Sequence, residues 1–279
     1  MIDSHSHGHF SYDSNADYNE MVLSAISKGL NGICFTDHYE YTPDCQQPNV
    51  SDYETDKFYG FEMTDYMSKL HSLSEKYSMQ NFKVFTGVEF GLLDSNMDEV
   101  VYAMDNYKFD SIIGSIHYIP NEPDMYYSNY TEKHDKFTAY SMVLEQYTKL
   151  LPKYPKINIM GHFDYVSRYS QVYTDRNMYY KDFSDYFDKL FTIIINMGIS
   201  LEINTSTYVK RDDLPANKLD LNILKRYKEL GGEMITLSSD AHKPDAVAQN
   251  FPIMSEFIKN AGFPYLTYFD KEKAVFEKI

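Results

Sequence analysis

Seven times along this chain a short β-type segment runs into a helical one, which is the pattern of a parallel sheet wrapped by helices. The strands fall near 1–5, 31–36, 83–90, 110–116, 157–161, 199–204 and 234–239. Helices are predicted near 17–29, 62–80, 96–107, 133–151, 179–197, 219–231 and 251–261. Between Ser184 and Ile195, the apolar residues Phe187, Leu190, Phe191 and Ile194 share one helical face, and Gly198 stops that helix. Gly29, Gly231 and Gly262 close others in the same way. Longer loops at 40–60, 118–132 and 164–178 break the rhythm. On the catalytic face of a barrel such insertions shape the substrate pocket.

The carboxyl ends of the seven strands carry the chemistry. The first ends in Asp3-x-His5-x-His7. In an extended segment alternate side chains share a side, so the two imidazoles project together with Asp3 beside them. Neutral imidazole binds divalent first-row metals, and a neighbouring carboxylate can fix its tautomer. Taken alone, those residues are equally a polar strand end or a purification-tag remnant. The other strands end at Asp37-His38, Glu89, His117, His162, Glu202 with Asn204, and Asp240-Ala241-His242. Six of the nine histidines therefore stand where a β/α barrel gathers its active site, with carboxylates interleaved, and a metal centre follows. Buried histidines bonded to backbone would account for one or two of them.

The 279 residues, 43% of them hydrophobic, suffice for one large α/β core, and no linker, repeat or low-complexity tract divides them, so residues 1–279 are read as one domain. No signal peptide and no apolar run of membrane-spanning length is visible, which makes a cytoplasmic protein the expectation. Cys34 and Cys45 make no disulfide framework, and Cys34, inside the second strand, reads as a small buried hydrophobe. A formal net charge of −15 argues against nucleic acid as a partner. A small anion stays open, because bound metal ions reverse the local sign of an acidic pocket. Nothing functional is drawn from the 27 tyrosines and the absence of tryptophan.

Asp3-x-His5-x-His7, Thr36-Asp37-His38, Gly87-Val88-Glu89, Gly114-Ser115-Ile116-His117, Gly161-His162 and Ser239-Asp240-Ala241-His242 together resemble the signatures of the PHP (polymerase and histidinol phosphatase) superfamily. The segments 114–119, 161–165 and 202–206 most resemble its stand-alone histidinol-phosphate phosphatases. That resemblance implies a distorted (β/α)7 TIM-like barrel with three divalent metal ions, zinc, manganese or iron, at the carboxyl ends of the strands. It implies one metal on His5, His7, Glu89 and Asp240, and a second on Glu89, His117 and His162, with Glu89 bridging. The third falls to Asp13, His38 and His242, although some relatives have histidine where Asp13 stands. His9 matches no ligand position and is read as lying outside the metals' direct shell or in solvent.

The implied reaction converts L-histidinol phosphate and water to L-histidinol and phosphate, in histidine biosynthesis, through a metal-bridging hydroxide that attacks phosphorus. Three divalent ions less the carboxylates Asp13, Glu89 and Asp240 leave about three positive charges to draw a phosphate dianion. Arg168 is the expected phosphate clamp, with Arg211 and Lys210 as runners-up. Asp240, His242 and metal-bound water are the alternatives for protonating the leaving group. The cationic organic part of such a substrate would suit acidic and aromatic residues, and Tyr39, Glu40, Tyr41, Asp44, Asp52, Tyr118, Glu122, Asp124 and Tyr126 are available in the loops. His71 and His134 read as surface or helix-face residues. Two other readings compete: a phosphatase for another small phosphomonoester or nucleotide, and a metal-binding module without turnover. Sequence leaves the oligomeric state open.

Overall fold

The computed structural model describes residues 1–41, 58–211 and 213–279. Seven parallel strands form the barrel wall in chain order: β1 (Ile2–Ser6), β2 (Gly32–Phe35), β5 (Lys83–Gly91), β6 (Ser111–Ser115), β7 (Ile159–Met160), β8 (Ser200–Asn204) and β9 (Ile235–Ser238). The wall is nearly closed. Its seam between the first and last strands is made by a parallel bridge from Ser6 to Ala241, with His7 N donating to Ala241 O at 2.9 Å and Asp240 N to His5 O at 2.9 Å. All seven expected strands are present, and the α/β barrel is the fold.

Five elements in three places were not anticipated. After a break at Thr36-Asp37 the second strand resumes as β3 (His38–Tyr41), which pairs with β5 in the register His38 to Glu89 and with the short antiparallel β4 (Phe58–Tyr59). A short helix, α4 (Ser128–Lys133), lies within the loop expected at 118–132. The last residues form an antiparallel hairpin, β10 (Tyr265–Asp270) and β11 (Lys273–Lys278). This hairpin is the floor of the barrel: Tyr268 packs on Ile2, Cys34 and Phe85, and Phe269 on Ile113 and Ile159, residues of five wall strands. Asp110, at the entrance to β6, accepts Lys271 N at 2.9 Å and Thr86 N at 2.8 Å, pinning the hairpin turn to the wall.

The outer helices are α1 (Tyr18–Ser27), α2 (Met63–Ser78), α3 (Met97–Asn106), α5 (Lys136–Leu150), α6 (Ser184–Met197), α7 (Leu221–Glu229) and α8 (Phe251–Asn260). Aspartates start three of them: Asp17, Asp135 and Asp220 accept backbone N–H groups of the first turns of α1, α5 and α7. The expected face of α6 is the buried one, and Gly198 ends it in the left-handed region at φ 70°. Several of the tyrosines prove to be structural. Tyr18, Tyr66, Tyr130, Tyr140, Tyr147, Tyr154 and Tyr227 are among the largest fully buried side chains. Tyr66 donates to Phe35 O and Gly87 O, and Tyr147 to Gly161 O while accepting Ile116 N, so their hydroxyls satisfy backbone groups where strands end.

Candidate metal centre

The strand ends meet at one mouth. His5 lies in β1 and His7 just follows it, His38 opens β3, Glu89 lies in β5, His117 and His162 follow β6 and β7, and Asp240 and His242 follow β9. Glu89 is central and fully buried. Its Oε2 is 3.1 Å from His5 Nε2 and 3.6 Å from His7 Nε2, while its Oε1 is 3.0 Å from His162 Nε2 and 3.4 Å from His117 Nε2. Asp240 Oδ1 completes the first set, 3.2 Å from His7 Nε2 and 3.7 Å from His5 Nε2.

Donor atoms within 4.8 Å of one another form four groups that could hold a metal: His5, His7 and Asp240; Glu89, His117 and His162; His7, His38 and His242; and His38, Glu40 and His117. The third grouping departs from the expected one, with His7 in place of Asp13. Asp13 sits on a partly exposed loop, its Oδ2 3.2 Å from His242 Nε2 and 3.6 Å from His38 Nε2. These distances match those of Asp240 in the first set, so Asp13, His38 and His242 also come together as expected, with His7 beside them.

Three imidazoles are oriented from behind. His5 Nδ1 lies 2.7 Å from Glu202 Oε1, and His117 Nδ1 2.6 Å from Glu40 Oε2. His7 Nδ1 lies 2.9 Å from Ser11 Oγ, whose own proton goes to Asp37 Oδ1 at 3.0 Å. Each Nδ1 is thereby occupied, and each Nε2 faces the cluster. Sequence reasoning gave this orienting task to Asp3. The register of β1 against β2 slips by one residue between Asp3 and Ser6, which breaks the alternation. Asp3 accepts instead from Ser239 N, Ser239 Oγ and Ala248 N. Glu202 was noticed only as a strand-end residue and Glu40 only as a loop acid. The His38-x-Glu40 spacing, which puts both on one side of an extended segment, was the available signal. Asp37 shapes the turn after β1, accepting Gly8 N and Ser11 N at 2.9 Å and the Tyr18 hydroxyl at 2.8 Å.

The cluster demands positive charge. Burial opposes an imidazolium at His5, yet Glu89, Glu202 and Asp240 outweigh it and raise its pKa well above the usual value. At His117, Glu40 and Glu89 overcome burial and lift the pKa to about 10. Burial and the neighbouring His242 and His38 hold His7 well below the ordinary range. Burial pushes Glu89 up, but His5, His38 and His117 bring it well below the usual carboxylate range. His38 Nδ1 stands 2.9 Å from Glu89 Oε2 and His242 Nε2 3.2 Å from Asp13 Oδ2, and neither pair is aligned as a hydrogen bond. His162 Nδ1 is buried without a partner among the described residues. Carboxylates that collect protons onto converging imidazoles form a site where divalent cations displace those protons. The all-nitrogen-and-oxygen donor set suits zinc, manganese or iron.

Asp240 holds φ 52°, a backbone conformation costly for a non-glycine residue, and that strain sits at the site. Its Oδ2 accepts Arg168 Nη1 at 2.8 Å and Asn204 Nδ2 at 3.2 Å. Arg168 is buried, its Nε bonded to Thr207 Oγ1 at 2.9 Å, and its Nη2 has no partner among the described residues. A cavity of about 570 Å³ opens above the cluster, lined by Arg168, Tyr118, Asp13, His242 and several tyrosines. Lys210 is exposed and off this lining. Arg211 also lies off it, bonded to Ser206 Oγ at 2.7 Å and stacked 5.5 Å from the Tyr169 ring.

Of the loop residues expected around the substrate, Tyr118, Asp124 and Tyr126 line the cavity. Tyr39 packs against Phe61 and Phe90, and Glu122 pairs with Lys133 and His134. Tyr41 packs with the buried pair Leu93 and Tyr118, while Asp44 and Asp52 lie outside the described residues. Tyr12, Tyr59, Tyr127, Tyr165, Tyr169 and Ser206 also line it and were not anticipated. His9 is exposed, packing on Phe10 and Tyr18, and His71 pairs on the surface with Glu75.

A nearly closed β/α barrel carrying an imidazole–carboxylate cluster at its carboxyl mouth defines the class, a barrel-type metallohydrolase. Comparison with known proteins narrows it: the PHP domain family matches residues 3–206, and the chain belongs to that family. The Clostridium acetobutylicum protein named probable histidinol-phosphatase is 30% identical over 262 residues, covering 94% of each chain. The Lactococcus lactis histidinol-phosphatase is 26% identical over 272 residues, covering 98% of this chain and 95% of its own. The crystal structure of the histidinol phosphate phosphatase from Lactococcus lactis, complexed with zinc, L-histidinol and phosphate, superposes with a TM-score of 0.84 at 27% identity over 98% of each chain.

Proposed function

We propose that this chain is a metal-dependent phosphomonoesterase that hydrolyses L-histidinol phosphate to L-histidinol and phosphate, a step of histidine biosynthesis in the cytoplasm, with residues 1–279 working as one unit. The observation that carries the reading is Glu89, whose two oxygens address two different imidazole sets beneath a cavity that a buried arginine borders. The likeness to the zinc, histidinol and phosphate complex from Lactococcus lactis supports the substrate.

His5, His7, Glu89 and Asp240 would hold one ion, Glu89, His117 and His162 a second, and His38 and His242 a third, with Asp13 at its open side and His7 within reach. Bound divalent ions supply phosphoryl charge neutralisation and a hydroxide nucleophile at neutral pH. The chain's own residues do the rest. Arg168 is braced by Asp240 and Thr207, so its free Nη2 is directed without loss of side-chain freedom on binding, and it takes a phosphoryl oxygen. Glu202, Ser11 and Glu40 fix the ring planes. Asp240 and His242 border the cavity beside Arg168, and they and metal-bound water are the alternatives for protonating the departing alkoxide.

Protein purified without added metal, analysed for its elements and assayed for phosphate release, tests this. Chelator-sensitive turnover of histidinol phosphate is expected, above that of sugar, amino-acid and nucleotide phosphates. A preference of about tenfold or more for another ester would reject the substrate, since that ratio equals roughly 1.4 kcal/mol of transition-state binding. Metal-bearing protein without phosphatase activity would reject the enzyme.

A further inference from the structure

The cavity above the cluster is built asymmetrically. At one end stands Arg168. From its guanidinium a file of tyrosines leads outward, with Tyr165 at 5.2 Å, Tyr169 5.5 Å beyond that ring, and Tyr126 a further 4.7 Å on. A second pair, Tyr12 and Tyr59 with ring centroids 4.3 Å apart, lines the same cavity. Asp124, whose Oδ1 accepts Tyr126 N at 2.8 Å, lies inward of that exposed ring, within electrostatic reach of Glu40 and His117.

Asp124 differs from the other carboxylates of the cavity. Asp13 stands against His38 and His242, and Asp240 is held by Arg168. Glu40, just behind the lining, is spent on His117. Asp124 pairs with no lysine or arginine among the described residues, although it is only 7% exposed and lines the cavity. Burial, with Glu40 nearby, raises its pKa to about 6 against the Tyr126 N–H and His117. A carboxylate desolvated and left without a cation gains most when one arrives, and tyrosine faces bind organic cations in the same position.

We propose that Asp124 is a specificity residue, the counter-charge for a cationic, planar alcohol portion of the substrate held between the tyrosine walls while Arg168 and the cluster hold its phosphate. The inference rests on the phosphatase reading above and deepens it. The site selects phosphomonoesters whose alcohol carries an amine or imidazolium, and it disfavours neutral or anionic ones.

The test compares unmodified protein with Asp124→Asn and Asp124→Glu, each checked for metal content and thermal stability. Asparagine keeps an acceptor for Tyr126 N while removing the charge. The substrates are histidinol phosphate, phosphoethanolamine and p-nitrophenyl phosphate, the last with a neutral alcohol. Asp124→Asn is expected to lower kcat/KM for histidinol phosphate by about tenfold or more, chiefly through KM, to leave p-nitrophenyl phosphate and metal content nearly unchanged, and to be partly rescued by glutamate. An equal loss on charged and neutral esters, or no loss on either, overturns the inference. If unmodified protein ignores histidinol phosphate yet shows an Asp124-dependent preference for phosphoethanolamine, the substrate assigned above falls and this inference stands. If it prefers no cationic ester, both fall.

Discussion

Replacing Glu202 by glutamine would remove one charge from behind the first metal position while keeping the side chain's volume. Glu202 and His5 are both fully buried, and His5 Nδ1 reaches Glu202 Oε1 at 2.7 Å, so water cannot substitute for the lost partner. A hydrogen bond to a charged acceptor is worth about 1.5–3 kcal/mol and a neutral one about 1, so the exchange costs about 0.5–2 kcal/mol of ring orientation and basicity. Spent on metal binding, that is about a 2- to 30-fold rise in the free metal needed for half occupancy. Titration of zinc against a competing chelator reads the affinity, and phosphate release at saturating metal reads turnover. The expected pattern is weakened retention with turnover restored to within a few-fold by excess metal. Unchanged metal affinity, or turnover lost at full occupancy, would refute the claim that Glu202 acts through His5.

Arg168→Ala is expected to raise KM for histidinol phosphate by about 10- to 100-fold with metal content intact, and an unchanged KM and kcat would return that guanidinium to a structural role. Asp3 has its pKa raised by burial from 3.8 to about 6, so its contribution to stability is fully present below about pH 4 and is lost as pH rises through 6. The difference in unfolding free energy between unmodified protein and Asp3→Asn is expected to shift by about 2–2.5 kcal/mol between pH 4 and 7, to the disadvantage of the unmodified protein at the higher pH; a flat difference would contradict it. The hairpin turn puts Lys271 at φ 52° and Glu272 at φ 62°, a conformation that favours Asn-Gly. Lys271→Asn with Glu272→Gly is expected to stabilise by about 1–2 kcal/mol in chemical denaturation without altering turnover, and a loss of stability would show the turn to be unstrained.

The wall of the barrel was legible because its strands are β-rich and alternate with helical segments, several of them ended by a glycine or started by an aspartate. The donors were legible because strand ends are marked positions in such a pattern, and His5, His38, Glu89, His117 and His242 needed only that rule to be placed together. What stayed hidden depends on contacts distant in sequence. The floor hairpin lacks a glycine or asparagine in its Lys271-Glu272 turn, so its strongest local signal is missing, although Tyr265 to Phe269 reads as a strand. Glu202 as the partner of His5 joins residues 197 apart, and the one-residue slip in β1 that disqualifies Asp3 is visible only in pairing register. The tyrosine walls could not be separated from the buried tyrosines by composition, because both uses draw on the same residue type.

The seam at Ser6 and Ala241 has a consequence for how the molecule is made. β1 has one neighbour, β2, about 30 residues after it, while its other neighbour emerges more than 200 residues later, at Ala241. At about 5–20 residues per second, the nascent chain presents its first strand with a bare hydrogen-bonding edge for on the order of ten seconds or more. During that interval His5 and His7 have neither Asp240 nor Glu202 beside them. The first metal position, though written in the earliest residues, can be completed only when the wall is almost entirely synthesised.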